Sequence, residues 1–339
     1  MLKKQAHAAF KASHNRMDYS AFSFLRARFK YMSKKCYKAY LLRTESQIFN
    51  HPRKFWKFVN RRRSNSGIPN LMLLDDLHCS GKEQIANMFS TYFCSVFKPP
   101  HSTATPNNPF LYHSLPSNSF FSVSDIESKL NELSTTKSAG PDGIPGSFLA
   151  NIKSAISIPL WIIFRRSLDE GIFPDIWKMS SITPIHQTGE QDNIRNYRPI
   201  SILSHLAKLF ECLVIRSIQP SVNSILTDAQ YGFLPNRSST LNSIVFNNYI
   251  LSALESHSQV DAIFTDISKA FDQVNHIILI DILYKSGFGE PLLSGFKSYL
   301  YLRTQWVKVL DCRSAVTNIT SGVPQGGHLS PILFALFIN

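Results

Sequence analysis

The sequence predicts a chain of mixed α and β structure, class α+β, led by a basic helical arm. Three observations predict it. First, of 339 residues 44% are apolar and only 17% are charged. That composition supports a sizeable buried core and excludes a disordered chain. Second, residues 1–63 hold 17 of the 36 lysines and arginines but only two of the 23 acids, Asp18 and Glu45. The remaining residues carry 19 basic groups against 21 acidic ones, so all the excess positive charge, +13 for the chain, sits in the arm. Such an arm seeks polyanions: nucleic acid first, an anionic membrane face second. Third, beyond residue 120 stretches of helical spacing alternate with short apolar runs. The longest apolar run, Ala155 to Phe164, contains Ser157 and Pro159 and stops at Arg165 and Arg166. A bilayer span needs ~20 apolar residues, so no membrane partner is expected.

The elements follow in order. Residues 20–60 read as helical, because Phe22, Leu25, Phe29, Met32, Cys36 and Tyr40 recur at steps of three and four among cations. Lys34, Lys35 and Lys38 are candidate nucleic-acid contacts on that helix. His51-Pro52 should end it. A second aromatic and basic stretch then carries Arg53, Lys54, Lys57, Arg61, Arg62 and Arg63, interleaved with Phe55, Trp56 and Phe58. Cations with aromatics suit phosphate contact and base stacking; the same aromatics are equally suited to a core. The loop Ser64 to Pro69 marks the first boundary, giving an arm over 1–66. A helix over Lys82–Phe97 and a Pro, Ser and Asn-rich linker fill 67–120. The next helix should be capped by Ser124, with Glu127 completing a capping box. The five cysteines (Cys36, Cys79, Cys94, Cys212, Cys312) show no Cys-x-x-Cys spacing, so free thiols in a reducing compartment are expected. The opening Met-Leu-Lys-Lys has no apolar stretch behind it, so a secreted protein is not expected.

Chemistry concentrates near the C-terminus. Val260 to Thr265 reads as a buried strand that ends at Asp266. A carboxylate there, beside Ile263, Phe264 and Ile267, needs a cation or hydrogen-bond donors to offset its desolvation. A helix N-cap and a Mg2+ ligand are both open readings. Ser321 to Pro331 is a Gly and Pro loop followed by an apolar helical run, Ile332 to Ile338. Its glycines allow close backbone approach, and Gln325 offers one donor group and one acceptor.

Six segments then occur in a fixed order over residues 137–326. They are Lys137-Ser-Ala-Gly-Pro-Asp-Gly-Ile144, Trp177-Lys178, Asn196-Tyr-Arg-Pro-Ile-Ser201, Gln230-Tyr-Gly-Phe233 with Arg237-Ser-Ser239, Asp266-Ile-Ser-Lys-Ala-Phe-Asp272, and Gly322-Val-Pro-Gln-Gly326. In these segments the chain resembles the reverse transcriptase region of a non-LTR retrotransposon, nearest to the jockey-like elements of insects. The resemblance implies a right-hand polymerase, with a fingers-like part over 121–255 and a partial palm over 256–339. It implies RNA-directed DNA synthesis with an RNA template, a DNA primer and dNTPs as partners, and two Mg2+ ions as cofactors.

By the same resemblance, Asp266 matches the first metal-binding aspartate, and the Ile267 backbone carbonyl is a further metal ligand. Phe271 matches the bulky residue under the incoming sugar. Arg198 matches the fingers arginine on the triphosphate, where a guanidinium fork fits phosphate oxygens. Gln325 and Gly326 match the loop along nucleotide and template. The arm resembles the segment that joins endonuclease to polymerase.

Three departures modify the expectation. The aromatic-Ala-Asp-Asp turn and the thumb are missing from the sequence, whose last acid is Asp311. Pro184-Ile-His-Gln-Thr-Gly189 lacks two lysines that the family carries, and Gly327 stands where serine is common. The expectation is therefore a domain inactive by itself, with residues 256–339 poorly stable. The alternative is a non-catalytic remnant that binds RNA or DNA through the arm.

Overall fold

In the computed structural model, residues 2–46, 67–98, 121–133 and 139–339 are described. They divide into two units, Met1–Gly67 and Ile68–Asn339.

The first unit is a helical hairpin. Helix α1 (Leu2–Ser13) turns at His14, which has φ +48°, into α2 (Arg16–Ser46). Asn15 Oδ1 accepts the Met17 N–H at 3.1 Å. The hairpin closes through rings: Phe10 meets Tyr19 at 5.2 Å and His7 meets Phe22 at 4.7 Å. The helix expected over 20–60 thus begins earlier, and α1 precedes it. Lys34, Lys35 and Lys38 are exposed on α2. Arg53, Lys54, Lys57, Arg61, Arg62 and Arg63 lie outside the described residues, as does the 99–120 linker.

The second unit opens with a two-stranded hairpin, β1 (Met72–Leu74) and β2 (Leu77–Cys79), and helix α3 (Lys82–Ser95). Met72, Ile85, Phe89 and Phe93 close a small core against Ile182, Tyr197 and Val307 of the main sheet. Each such side chain, removed from water, contributes about 1.5–3 kcal/mol. Helices α4 (Val123–Asn131), α5 (Gly146–Asn151) and α6 (Lys153–Glu170) follow. A short 3-10 turn, Asp175–Trp177, leads into β3 (Met179–His186). Then come β4 (Tyr197–Ile202), α7 (His205–Ile225), α8 (Ser239–Glu255), α9 (His276–Lys285) and α10 (Leu292–Leu300). Strands β5 (Thr304–Val309), β6 (Cys312–Arg313) and β7 (Thr317–Asn318), and helix α11 (Leu329–Ile338), complete the unit.

The main sheet runs β4-β3-β5-β6, with β7 also on β5. Strands β3 and β4 are antiparallel, with Ser181 opposite Ile202 and Ile185 opposite Arg198. Strands β3 and β5 are parallel, with Ser181 opposite Trp306. The larger core joins α4, α6, α7, α9, α10 and α11, with Phe164, Phe173, Trp177, Phe210 and Tyr299 in mutual ring contact at its centre. This is the mixed α+β architecture that the composition predicts.

Two local expectations are corrected. The cap of α4 is Ser122, not Ser124, and its box partner is Asp125, not Glu127. Ser122 has the extended backbone a cap needs, and the two residues bond reciprocally at 3.2 and 2.8 Å. Glu127 instead accepts the Ser154 hydroxyl at 2.6 Å.

The second correction is larger. Val260 to Thr265 forms no strand and is not buried: Ile263 is 90% and Phe264 85% exposed. A strand exists only beside a neighbour that takes its N–H and C=O groups. Among the described residues no strand pairs with this segment. Asp266 and Ile267 therefore lie in exposed, irregular backbone. Backbone amides of residues 260–268 should exchange with solvent close to the rate of an unfolded chain, while those of Ile182 and Val307 exchange slowly. Protection of Ile263 and Phe264 comparable to Val307 would show that the strand forms.

Candidate nucleotide site

The site is built around the loop from Ser321 to Gly327. On one side the loop meets β4, the edge strand of the sheet. The Ser201 N–H donates to the Gln325 carbonyl at 2.8 Å. Gly326 has φ +143°, and a Cβ there would lie 2.3 Å from the Ser201 carbonyl oxygen. Only glycine fits this approach.

On the other side the loop meets the turn after Asp266. Gly322 N–H donates to Val274 C=O and Val323 N–H to Phe271 C=O, both at 2.8 Å. A Cβ on Gly322, at φ +87°, would lie 2.7 Å from the Phe271 carbonyl and 2.8 Å from Asp272 Cα. Ser321 Oγ donates to the Asp272 carbonyl at 2.8 Å and itself accepts the Lys98 N–H at 2.9 Å. The buried His276 donates from Nε2 to the Gly322 carbonyl at 2.7 Å. Burial holds that imidazole below its ordinary pKa, which favours the neutral form.

Three residues of the expected set meet here. Gln325 and Gly326 are in the loop. Phe271 stacks on Phe334 of α11 at 4.7 Å, with Phe233 against its edge at 5.8 Å. Arg198 lies on β4, three residues before Ser201, and is exposed. Its guanidinium has no hydrogen bond or ion pair among the described residues. Pro199, Ser201, Asp272, Arg303, Gln305 and Gln325 line one cavity between sheet and loop. Asp266 and Ile267 are not drawn into this arrangement by any bond. Among the described residues no group of three or more His, Cys, Asp or Glu side chains converges as metal ligands. One exposed carboxylate and one backbone carbonyl do not make a cradle for two hard cations, so these donors by themselves do not fit the expected Mg2+ pair.

Sequence reasoning missed the residues that hold the loop. Asp272 sits in a turn. It is buried, and accepts Gln325 Nε2 at both carboxylate oxygens, 2.8 and 2.7 Å away. Burial pushes its carboxyl above the ordinary range, while Gln325 and Lys269 pull the other way.

Glu211, only 1% exposed on α7, lies at the N-terminus of α11. Its Oε2 accepts the N–H groups of His328 and Leu329 at 2.5 and 3.1 Å. A helix start has unpaired N–H groups and a positive dipole end, and a carboxylate answers both. Arg303, equally buried, donates Nη1 to the Tyr299 carbonyl at 3.1 Å and lies 4.9 Å over that ring. Burial raises the Glu211 pKa; the two N–H bonds, Arg303 and Tyr299 oppose it. The signal in the sequence was a lone acid inside Leu209-Phe-Glu-Cys-Leu-Val214.

Other motif residues act as staples. Arg237 donates to the carbonyls of Asp228 and Gln230 at 2.7 and 2.8 Å. Lys178, buried beside Trp177, pairs with Asp175 at 2.8 Å. The Gly140 backbone lies against Ser204, where a Cβ would meet Cα at 2.8 Å. Lys137 and Ser138 lie outside the described residues.

Residues 185–339 match the family model for reverse transcriptase (RNA-dependent DNA polymerase). The chain is 33% identical over 218 residues to the probable RNA-directed DNA polymerase from transposon BS of Drosophila melanogaster, covering 63% of this chain and 24% of that protein. It is 32% identical over 224 residues to the RNA-directed DNA polymerase from mobile element jockey of the same fly, covering 64% and 24%. It is 30% identical over 165 residues to the retrovirus-related Pol polyprotein from type-1 retrotransposable element R2 of Popillia japonica, covering 48% and 23%. The chain thus spans about a quarter of the length of the curated relatives it matches. The matched residues, 185–339, hold the loop, β4 and Asp266, and in this stretch the chain is similar to a reverse transcriptase domain. The first two of these relatives are named as RNA-directed DNA polymerases of a transposon and a mobile element.

Replacing Glu211 by leucine should cost about 2–4 kcal/mol, because the His328 and Leu329 N–H groups lose their acceptor and the buried Arg303 loses its nearby negative charge. Glu211→Gln keeps an oxygen there and should cost about 1 kcal/mol. The sign with pH follows from the raised pKa. Between the ordinary 4.5 and the folded value the native state binds the proton more tightly, so stability falls as pH rises through that window. Urea unfolding of Glu211→Gln from pH 4.5 to 7 should show a shallower decline than wild type, with Asp272 supplying part of what remains. An unchanged slope would mean that Glu211 does not titrate in this environment.

Proposed function

We propose that this reverse transcriptase domain contributes the nucleotide-side wall of an RNA-directed DNA polymerase, with 121–255 as a fingers-like part and 256–339 as part of the palm. The observation that carries this is the backbone-bonded assembly of β4, the Phe271–Asp272 turn and the Gly322–Gly326 loop. It brings the Arg198 strand, Phe271, Gln325 and Gly326 to one wall, although they are far apart in the chain. Phe271, clamped by Phe334, is the steric check on the incoming sugar. Arg198 is the phosphate contact, and its unengaged guanidinium supports that role. The segment that lacks the family's lysines throws more weight on it: His186 is turned into the loop, with its Nε2 at 3.1 Å from the Gly189 carbonyl, and its ring meets Tyr197.

Divalent metal ions belong to the same reading, with Asp266 and the Ile267 carbonyl as donors. Two ions would steady the primer hydroxyl and the leaving pyrophosphate. Because the donors present do not hold such a pair, the work assigned to the described residues is binding and alignment. The basic arm is the proposed nucleic-acid hold, through Lys34, Lys35, Lys38 and the cations of 53–63. The composition of the arm supports that role: 17 cations face two acids over residues 1–63.

Gel-shift titration of the full chain with an RNA template, a DNA primer and Mg2+ tests the proposal. The complementary dNTP should tighten the complex several-fold over a non-complementary one, and Arg198→Ala should remove that increment. If about five phosphates of a single strand are held, log K should fall with log salt with a slope near −3.5. Reversing Lys34, Lys35 and Lys38 to Glu should flatten it by about 2. Equal effects of the two nucleotides would overturn the polymerase reading, and a salt-independent affinity would remove the arm from it.

A further inference from the structure

Gln325 has two chemically opposite ends, and the structure decides which one faces inward. Its Nε2 donates to both oxygens of Asp272. A carboxylate only accepts hydrogen bonds, so the amide nitrogen must face it and Oε1 must face away. Oε1 has no hydrogen-bond partner among the described residues. A glutamine on an otherwise unconstrained loop would offer nitrogen or oxygen with equal ease. Beside Asp272 it offers only oxygen.

Asp272 is itself fixed. Its N–H donates to Lys269 C=O at 3.0 Å, and its carbonyl accepts the Ser321 hydroxyl. The residues around it, Phe271 and Val274, take the N–H groups of Val323 and Gly322. The carboxylate and the glutamine are thus parts of one braced piece. Asp272 is 8% exposed, so bulk water does not compete for the amide.

We propose that Asp272 is a positioning residue for Gln325, fixing its amide so that the loop presents a hydrogen-bond acceptor toward the cleft. The ligand class this selects is a hydrogen-bond donor: a hydroxyl or amino group of a nucleotide. The inference rests on the nucleotide-site reading above. It predicts that Asp272 acts on nucleotide affinity only through Gln325.

Asp272→Asn is the discriminating change. It keeps the size of the side chain, but its own amide can donate as well as accept, so it no longer dictates which end of Gln325 faces inward. The first readout is the side-chain NH2 signal of Gln325 in full-length chain labelled with 15N-glutamine, assigned by its loss in Gln325→Met. Slow NH2 exchange in wild type and fast exchange in Asp272→Asn is expected. Fast exchange in wild type, or slow exchange in both, overturns the proposal.

The second readout is the affinity increment given by complementary dNTP on an RNA template and DNA primer. Asp272→Asn and Gln325→Met should each reduce it about tenfold, the worth of one well-made hydrogen bond. The double variant should be no worse than Gln325→Met alone, because contacting residues in one chain of action are not additive. Thermal unfolding of Asp272→Asn should stay near wild type. Losses that multiply in the double variant overturn the proposal. If wild type shows no increment at all, the nucleotide reading fails, and the NH2 signal alone decides whether Asp272 orients Gln325.

Discussion

The backbone of the Ser321–Gly327 loop is pressed between two other backbones, and the arrangement of the site depends on that contact. On one side Gly326 touches the Ser201 carbonyl of the sheet edge. On the other, Gly322 touches the carbonyls of Phe271 and Asp272. Neither approach leaves room for a Cβ, and both glycines hold positive φ. Because main-chain groups make the junction, its geometry does not depend on side-chain rotamers. The three segments hydrogen-bond through Ser201, Phe271 and Val274. Moving the loop would break bonds to both neighbours.

Behind this junction lies a buried polar frame. Glu211 caps the helix that leaves the loop, and Arg303 and Tyr299 surround it. A lone carboxylate at that depth would cost several kcal/mol. The N–H groups at the α11 start and the nearby guanidinium offset that cost. The frame is not fully satisfied: Glu211 Oε1 and the Nε and Nη2 of Arg303 lack hydrogen-bond partners among the described residues. Such groups are costly in a low-dielectric interior, and they make this frame sensitive to substitution.

Much of the architecture was legible in the sequence because it rests on local chemistry. Helical spacing marks α2 and α3, glycine and proline mark the loop, and charge segregation marks the arm. The segment order points to Arg198, Phe271, Gln325 and Gly326. What was not legible depends on contacts between distant segments. Val260 to Thr265 has the composition of a strand, yet a strand also needs a neighbouring edge, and composition does not report one. Ser124 fits the cap by spacing, but the extended backbone at Ser122 and its reciprocal bonds with Asp125 make Ser122 the cap. Glu211 and Asp272 read as ordinary acids until the fold buries them beside a helix start and a glutamine amide. Asp266 stood out most as a candidate, but the structure ties it to none of the others.

The most direct measurement is the stability and amide exchange of the full chain carrying Gly326→Ala. An added methyl would stand 2.3 Å from the Ser201 carbonyl, well inside van der Waals contact. The loop must then leave the sheet edge, at a cost of roughly 1–3 kcal/mol. A lower midpoint of unfolding is expected, together with fast exchange at the Ser201 amide, which has lost its acceptor on Gln325. A variant with wild-type stability and a Ser201 amide still protected would contradict it, because the close backbone approach would then not be what holds the site together.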